Sequence, residues 1–145
     1  MAREKILFLD DERIWCGPYL ERLNDLFEVA VFHEVKLALD YFEHFQDVEG
    51  LIVDVMMPTP PGVSLSETNK DLATGIWFAE KMRDYVLAHL CPIIFLTNRG
   101  EENFGDRLAQ MALPTNLYEV RNKRDTSSTA LPVIVKQMIN AARRR

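Results

Sequence analysis

Five short runs of Ile, Leu, Val and Phe, each followed by a stretch with helical spacing, constrain this chain more than any other feature. The runs are KILFLD (5–10), EVAVF (28–32), LIVDV (51–55), PIIFLT (92–97) and the weaker LYEV (117–120). Three of them are nearly unbroken in apolar residues, as strands are when helices cover both faces of their sheet. Helical periodicity runs through PYLERLNDLF (18–27), where Leu20, Leu23, Leu26 and Phe27 share a face. It returns in VKLALDYFEHF (35–45), GIWFAEKMRDYVLAHL (75–90), FGDRLAQMAL (104–113) and LPVIVKQMINAARR (131–144). Pro18 and Pro132 suit first turns, where a missing N–H costs little. Right-handed crossovers between five such pairs predict a flavodoxin-like (βα)5 three-layer sandwich: a parallel five-stranded sheet in the order 2-1-3-4-5.

With 145 residues the chain fits one domain spanning 1–145. No apolar run approaches the ~20 residues of a membrane span, and the first residues carry no signal-peptide pattern, so the expected location is the cytoplasm. A net charge of −5 argues against general nucleic-acid binding. Cys16 and Cys91 make neither a disulfide framework nor a metal cluster. One segment breaks the alternation. TPPGVSLSETNKDLAT (59–74) is rich in Pro, Ser, Thr and Asn without sustained period, and reads as a loop of unusual length.

In such sheets ligands bind at the edge formed by the strand carboxyl ends. The first run delivers Asp10, Asp11 and Glu12 there, and the third delivers Asp54. The fourth brings Thr97 and Asn98, and the segment after the fifth brings Arg121 and Lys123. Oxygen-only carboxylates suit a hard cation such as Mg²⁺, which would lower the cost of packing Asp10, Asp11 and Asp54 together. An aspartate can also attack phosphorus and form an aspartyl phosphate. The charge on the phosphoryl oxygens then calls for a metal, a hydroxyl and a cation, the types present. Singly, each residue has a plainer use: the acidic pair as a cap, Thr97 as N-cap of a helix over 100–112, Lys123 as a solvated charge. Their joint occurrence at successive strand ends carries the argument.

FLDDE (8–12), LIVDVMMP (51–58) and FLT (95–97), with Lys123 near the fifth strand, resemble the receiver domains of two-component response regulators over essentially the whole chain. The resemblance implies that Asp54 accepts a phosphoryl group from a sensor histidine kinase or phosphotransfer protein. It implies Mg²⁺ held by Asp11, Asp54 and the Met56 backbone carbonyl, with Asp10 assisting through water. Thr97 and Lys123 would bind the phosphoryl oxygens, and a downstream protein target would read the change. The expected type is stand-alone, with no attached output domain, no direct nucleic-acid contact and no membrane association.

Several positions depart from that family's pattern. Its lysine is usually followed by proline, whereas Arg124 follows Lys123. A second register puts Arg121 in the lysine's place and keeps Tyr118 three residues upstream, where a switch aromatic often sits. Asn98 stands where a small residue is common. Gly62 lies at the family distance from Asp54, yet the helical pattern resumes only at Gly75, which implies a 13-residue insertion, either a rim beside Asp54 or an idle surface loop. Gly17-Pro18 suggests a first helix that starts late, and with it an unusual partner.

Two other functions compete. A haloacid-dehalogenase-type phosphatase also uses a strand-end aspartate and Mg²⁺, but its nucleophile is followed two residues later by aspartate, where Asp10 has Glu12; it also leaves DVMMP without a role. The other is a receiver-like scaffold that is not phosphorylated. The leading reading is a non-enzymatic phosphoacceptor, with at most self-catalysed phosphotransfer and autodephosphorylation.

Overall fold

The computed structural model describes residues 3–98 and 104–144. Strand and helix alternate: β1 (Lys5–Leu9), α1 (Arg13–Leu26), β2 (Glu28–Phe32), α2 (Val35–His44), β3 (Gly50–Val53), α3 (Thr74–His89), β4 (Ile93–Thr97), α4 (Gly105–Gln110), β5 (Tyr118–Asn122) and α5 (Ala130–Arg143). The strands form one parallel sheet in the order β2-β1-β3-β4-β5, as the alternation predicts. Successive side chains of a strand point to opposite faces, and the core divides accordingly. Ile6, Phe8, Ile52, Ile94 and Leu96 pack against Cys16, Tyr19 and Leu23 of α1 and Leu131, Val135 and Ile139 of α5. Leu7, Leu9, Leu51, Val53, Ile93 and Phe95 pack on the other side with α2, α3 and α4. Both cysteines are buried and unpaired. Among the described residues no helix is long and apolar enough to cross a membrane.

Helix α1 differs from its expectation. It begins at Arg13 and carries Pro18 in its interior, so the late start is overturned, and the ground for expecting an unusual partner goes with it. Proline's φ is compatible with a helix, so the cost falls mainly on one lost hydrogen bond and crowding of the preceding turn. The buried stripe is Cys16, Tyr19 and Leu23, at helical spacing, and outweighs that cost. Leu26, expected on the buried face, is about half exposed, while Phe27 just beyond the helix takes the core position. Helix α4 is only six residues long, shorter than the periodicity of 104–113 suggests; Ala112 takes a positive φ of 52° after it. Residues 100–103 of the helix for which Thr97 could serve as cap lie outside the described residues. Thr97 itself is the last residue of β4.

Candidate functional site: an acidic cleft at the carboxyl edge of the sheet

Three chain segments leave the sheet side by side. Leu9 pairs with Val53 across β1 and β3, and the Asp54 amide continues the ladder by donating to Leu9 O at 2.9 Å. Asp10 and Asp54, each one residue past its strand, are thereby neighbours. On the other side Thr97 pairs with Asn122, and the Lys123 amide donates to Thr97 O at 2.8 Å. That bond sets the position of the cation. Lys123 Nζ lies 2.9 Å from Asp10 Oδ2 and 3.5 Å from Asp54 Oδ1, with all three side chains buried.

Carboxylate oxygens of Asp10, Asp11 and Asp54 lie within 4.8 Å of one another. Three carboxylates thus face one ammonium, a local excess of negative charge that an oxygen-coordinated divalent cation would offset. Asp11 Oδ1 is buried without a hydrogen-bond partner, and such an orphaned acceptor fits a cation ligand. Burial and then repulsion from Asp10 raise the Asp11 pKa. Asp54 is raised to about 7, first by burial and then by Asp10, against the opposing pull of Lys123. For Lys123 burial disfavours the charge, but Asp54 and the hydrogen bond to Asp10 outweigh it and the pKa rises.

The cleft, a cavity of about 350 Å³, is walled by Asp11, Asp54, Met56, Thr97, Asn98 and Lys123, among others. Asp10 is not on its wall: it is 2% exposed, one oxygen accepts the Glu12 amide at 2.9 Å and the other holds Lys123. Arg121 and Tyr118 do not reach this place. Arg121 pairs with Glu119 at 2.5 Å, and both it and Tyr118 line a separate groove between β5 and α5. Tyr118 opens β5 opposite Ile93, at the amino end of the sheet, and Val120 occupies the position three residues before Lys123. The register placing Arg121 beside Asp54, with Tyr118 as its aromatic, is therefore corrected in favour of Lys123.

The long segment after Asp54 folds back on the cleft. Asn69, Lys70 and Asp71 take positive φ of 51°, 54° and 70° in succession, a left-handed turn that costs non-glycine residues roughly 1–2 kcal/mol each. Hydrogen bonds compensate. The Lys70 amide donates to Leu65 O and the Ala73 amide to Thr68 O. Asp71 Oδ1 accepts the Thr59 amide at 2.8 Å and also the Thr59 hydroxyl, which meets the fully buried Thr68 hydroxyl at 2.6 Å. Asp71 also lines the cleft, so the insertion forms part of its rim. Helix α3 follows directly, with the Gly75 amide donating to Val55 O at 2.8 Å. A Cβ at residue 75 would stand 2.0 Å from Asp54 O, so only glycine allows this approach.

Trp15, Tyr19, Asp71 and Gly75 join the site without having been anticipated from sequence. Gly75 carried a signal, a glycine opening a helical pattern directly behind the loop. Asp71 carried none, because a left-handed turn of Asn, Lys and Asp has no sequence signature. Trp15 was hidden by the expectation that α1 began only at Pro18, and Tyr19, though inside that stretch, fell outside the apolar face of Leu20, Leu23, Leu26 and Phe27.

The parallel order and the helices on both faces define a flavodoxin-like α/β sandwich, and its carboxyl edge carries a cleft whose clustered carboxylates suit a hard cation. Its fold is that of response-regulator receiver domains. The chain superposes on a response regulator receiver protein from Sinorhizobium medicae with a TM-score of 0.71 and 21% identity, covering 97% of each chain. A CheY-like receiver domain from Methanospirillum hungatei gives 0.69 and 14%, again over 97% of each. The BeF3-activated receiver domain of DrrB gives 0.67 and 17%, covering 96% of this chain and 99% of that one. No family model and no curated protein matches the sequence.

Proposed function

We propose that the chain is a phosphoacceptor signalling module in which Asp54 takes a phosphoryl group from a phosphohistidine of a sensor kinase or phosphotransfer protein. One observation carries this reading: of the two deeply buried carboxylates among the described residues, Asp54 is the one on the cleft wall, with Thr97 and Lys123 beside it. An Asp54 oxygen attacks phosphorus, the P–N bond breaks, and the imidazole leaves with its electron pair and takes up a proton. The product is an acyl phosphate on Asp54. Lys123 begins as partner to Asp10 and Asp54 and offers its charge to the phosphoryl oxygens; the Thr97 hydroxyl offers a donor from β4. Mg²⁺, held by Asp11, Asp54 and the Met56 carbonyl with Asp10 through water, would supply further positive charge for those oxygens. The added charge reorganises protein contacts, and a downstream protein target reads them. Such a module is not a turnover enzyme, and its chemistry ends with its own phosphorylation and dephosphorylation.

The occupied oxygens of Asp10 weigh against the phosphatase alternative, whose nucleophile that residue would be. The test is intact-mass measurement after incubation with a small acyl phosphate and Mg²⁺. A single phosphoryl adduct, lost in Asp54→Ala, is expected. Turnover that needs Asp10 would favour the phosphatase, and a chain that takes no label would favour an unphosphorylated scaffold.

A further inference from the structure

Lys123 has a neighbour that phosphoryl chemistry does not call for. Its Nζ lies 4.3 Å from the centroid of the Trp15 ring, on the first turn and a half of α1. Trp15 packs in turn on Tyr19, one helical turn later, with ring centroids 4.7 Å apart. The Tyr19 hydroxyl, buried with its ring, donates to the carbonyls of Lys123, at 3.2 Å, and Thr126. Both carbonyls belong to the connection between β5 and α5. Arg124 follows Lys123 there, so no proline ring restricts this backbone. Helix α1 therefore grips the lysine twice, the aromatic face at the charged head and the phenol at the main chain.

We propose that Trp15 is a positioning residue for Lys123, holding the ammonium between its indole face and the carboxylates of Asp10 and Asp54, with Tyr19 fixing the backbone from which the lysine reaches. The inference rests on the reading of Asp54 as phosphoryl acceptor. An ammonium has three N–H donors on a flexible stem. The carboxylates draw it toward the floor of the cleft, and a π face attracts it from another side without a competing charge. When a phosphoryl group arrives, the lysine can turn toward it without leaving a buried anion on the indole side. A carboxylate in the place of Trp15 would hold the ammonium back, and an aliphatic residue would let it settle wholly on Asp10.

The full-length chain tests this directly. With a small acyl phosphate and Mg²⁺, Trp15→Leu is expected to slow adduct formation by about threefold to tenfold, the range of a partly desolvated cation–π contact. Trp15→Phe, which keeps a π face, should recover most of that rate. Tyr19→Phe should slow it while retaining the ring. Circular dichroism checks that each variant is folded. An optical arm does not depend on phosphorylation. In a Trp77→Phe background Trp15 is the one indole left, and replacing Lys123 by Met should change its emission in the resting protein. Adding beryllofluoride with Mg²⁺ should change emission in the lysine protein and not in the Met variant. A folded Trp15→Leu that is labelled at the wild-type rate, or Trp15 emission blind to Lys123, overturns the proposal alone. A wild-type chain that takes no adduct on Asp54 overturns the functional reading, and the proposal with it.

Discussion

Asp54→Asn should stabilise this protein at neutral and alkaline pH when no divalent cation is present. The pKa of Asp54 is raised from 3.8 to about 7, chiefly by burial and by Asp10. Between those values the folded state holds a proton that the unfolded chain has released. Stability therefore falls as pH rises through that window, and the full cost of the carboxylate is in place above the folded pKa. A shift of about three units corresponds to an upper limit of about 4 kcal/mol. The opposing pull of Lys123, 3.5 Å from Asp54 Oδ1, is already contained in that shift. Relaxation and water entry around a buried charge reduce the figure, so a net gain of about 1–3 kcal/mol is expected, or roughly 3–9 °C in melting temperature for a domain of this size. Urea titrations in a chelator at about pH 4 and about pH 8 provide the assay. The variants should converge at the acid end and diverge at the alkaline end, and Mg²⁺ should narrow the gap by stabilising the Asp54 protein. A pH-independent difference, or an Asn variant less stable at high pH in chelator, would refute the electrostatic account of this site.

Lys123→Ala leaves Asp10 buried without its cation and should cost about 3–5 kcal/mol without Mg²⁺, read by urea midpoint, and should also abolish the NMR shift changes expected on treating the wild-type chain with an acyl phosphate and Mg²⁺. Gly75→Ala drives a Cβ into Asp54 O; the displaced helix should cost roughly 3 kcal/mol and depress labelling of Asp54, both measurable on one preparation. Asp71→Ala removes the acceptor for Thr59, and faster amide exchange across 59–73 should follow, with about 1–3 kcal/mol lost. Arg107 pairs with both oxygens of Glu80, at 2.8 and 2.6 Å. Because that pair is partly exposed, Arg107→Ala should cost no more than about 1 kcal/mol while increasing exchange in α4.

The sheet was readable because its determinants are local and repeated. Each buried strand spends three or four residues on Ile, Leu, Val or Phe, and two-sided burial leaves no alternation to confuse with a surface strand. The acidic edge was readable because strand ends in a parallel sheet converge whatever the connections do. Register at β5 was not. RNK (121–123) offers two cations two residues apart, and the choice rests on which carbonyl the edge strand pairs with, a long-range contact between Thr97 and Lys123. The start of α1 was misjudged for a different reason. Gly17 and Pro18 argue locally against a helix, while Cys16, Tyr19 and Leu23 bury a stripe that only the finished core rewards. The fold of the insertion lay furthest from reach, since three left-handed residues persist only through hydrogen bonds to Thr59, Thr68 and Leu65.

The same contacts bear on how the cleft could respond to a phosphoryl group. The segment following Asp54 is pinned at two points, by the close backbone approach of Gly75 and by the Asp71 grip on Thr59. The segment carrying Lys123 is pinned by Tyr19. Strain placed on either wall would have to break buried hydrogen bonds or compress backbone against backbone. A third wall is formed by Thr97, bonded through its carbonyl to the Lys123 amide, and the exposed Asn98; the next described element is a six-residue helix held by the Arg107–Glu80 pair. A short helix gains little from its own hydrogen bonds and depends on its packing. It is therefore the cheapest part of the cleft's surroundings to move. If Asp54 is phosphorylated as proposed, the response should thus be borne mainly by α4 (Gly105–Gln110), with the insertion acting as a fixed abutment and not as a moving lid.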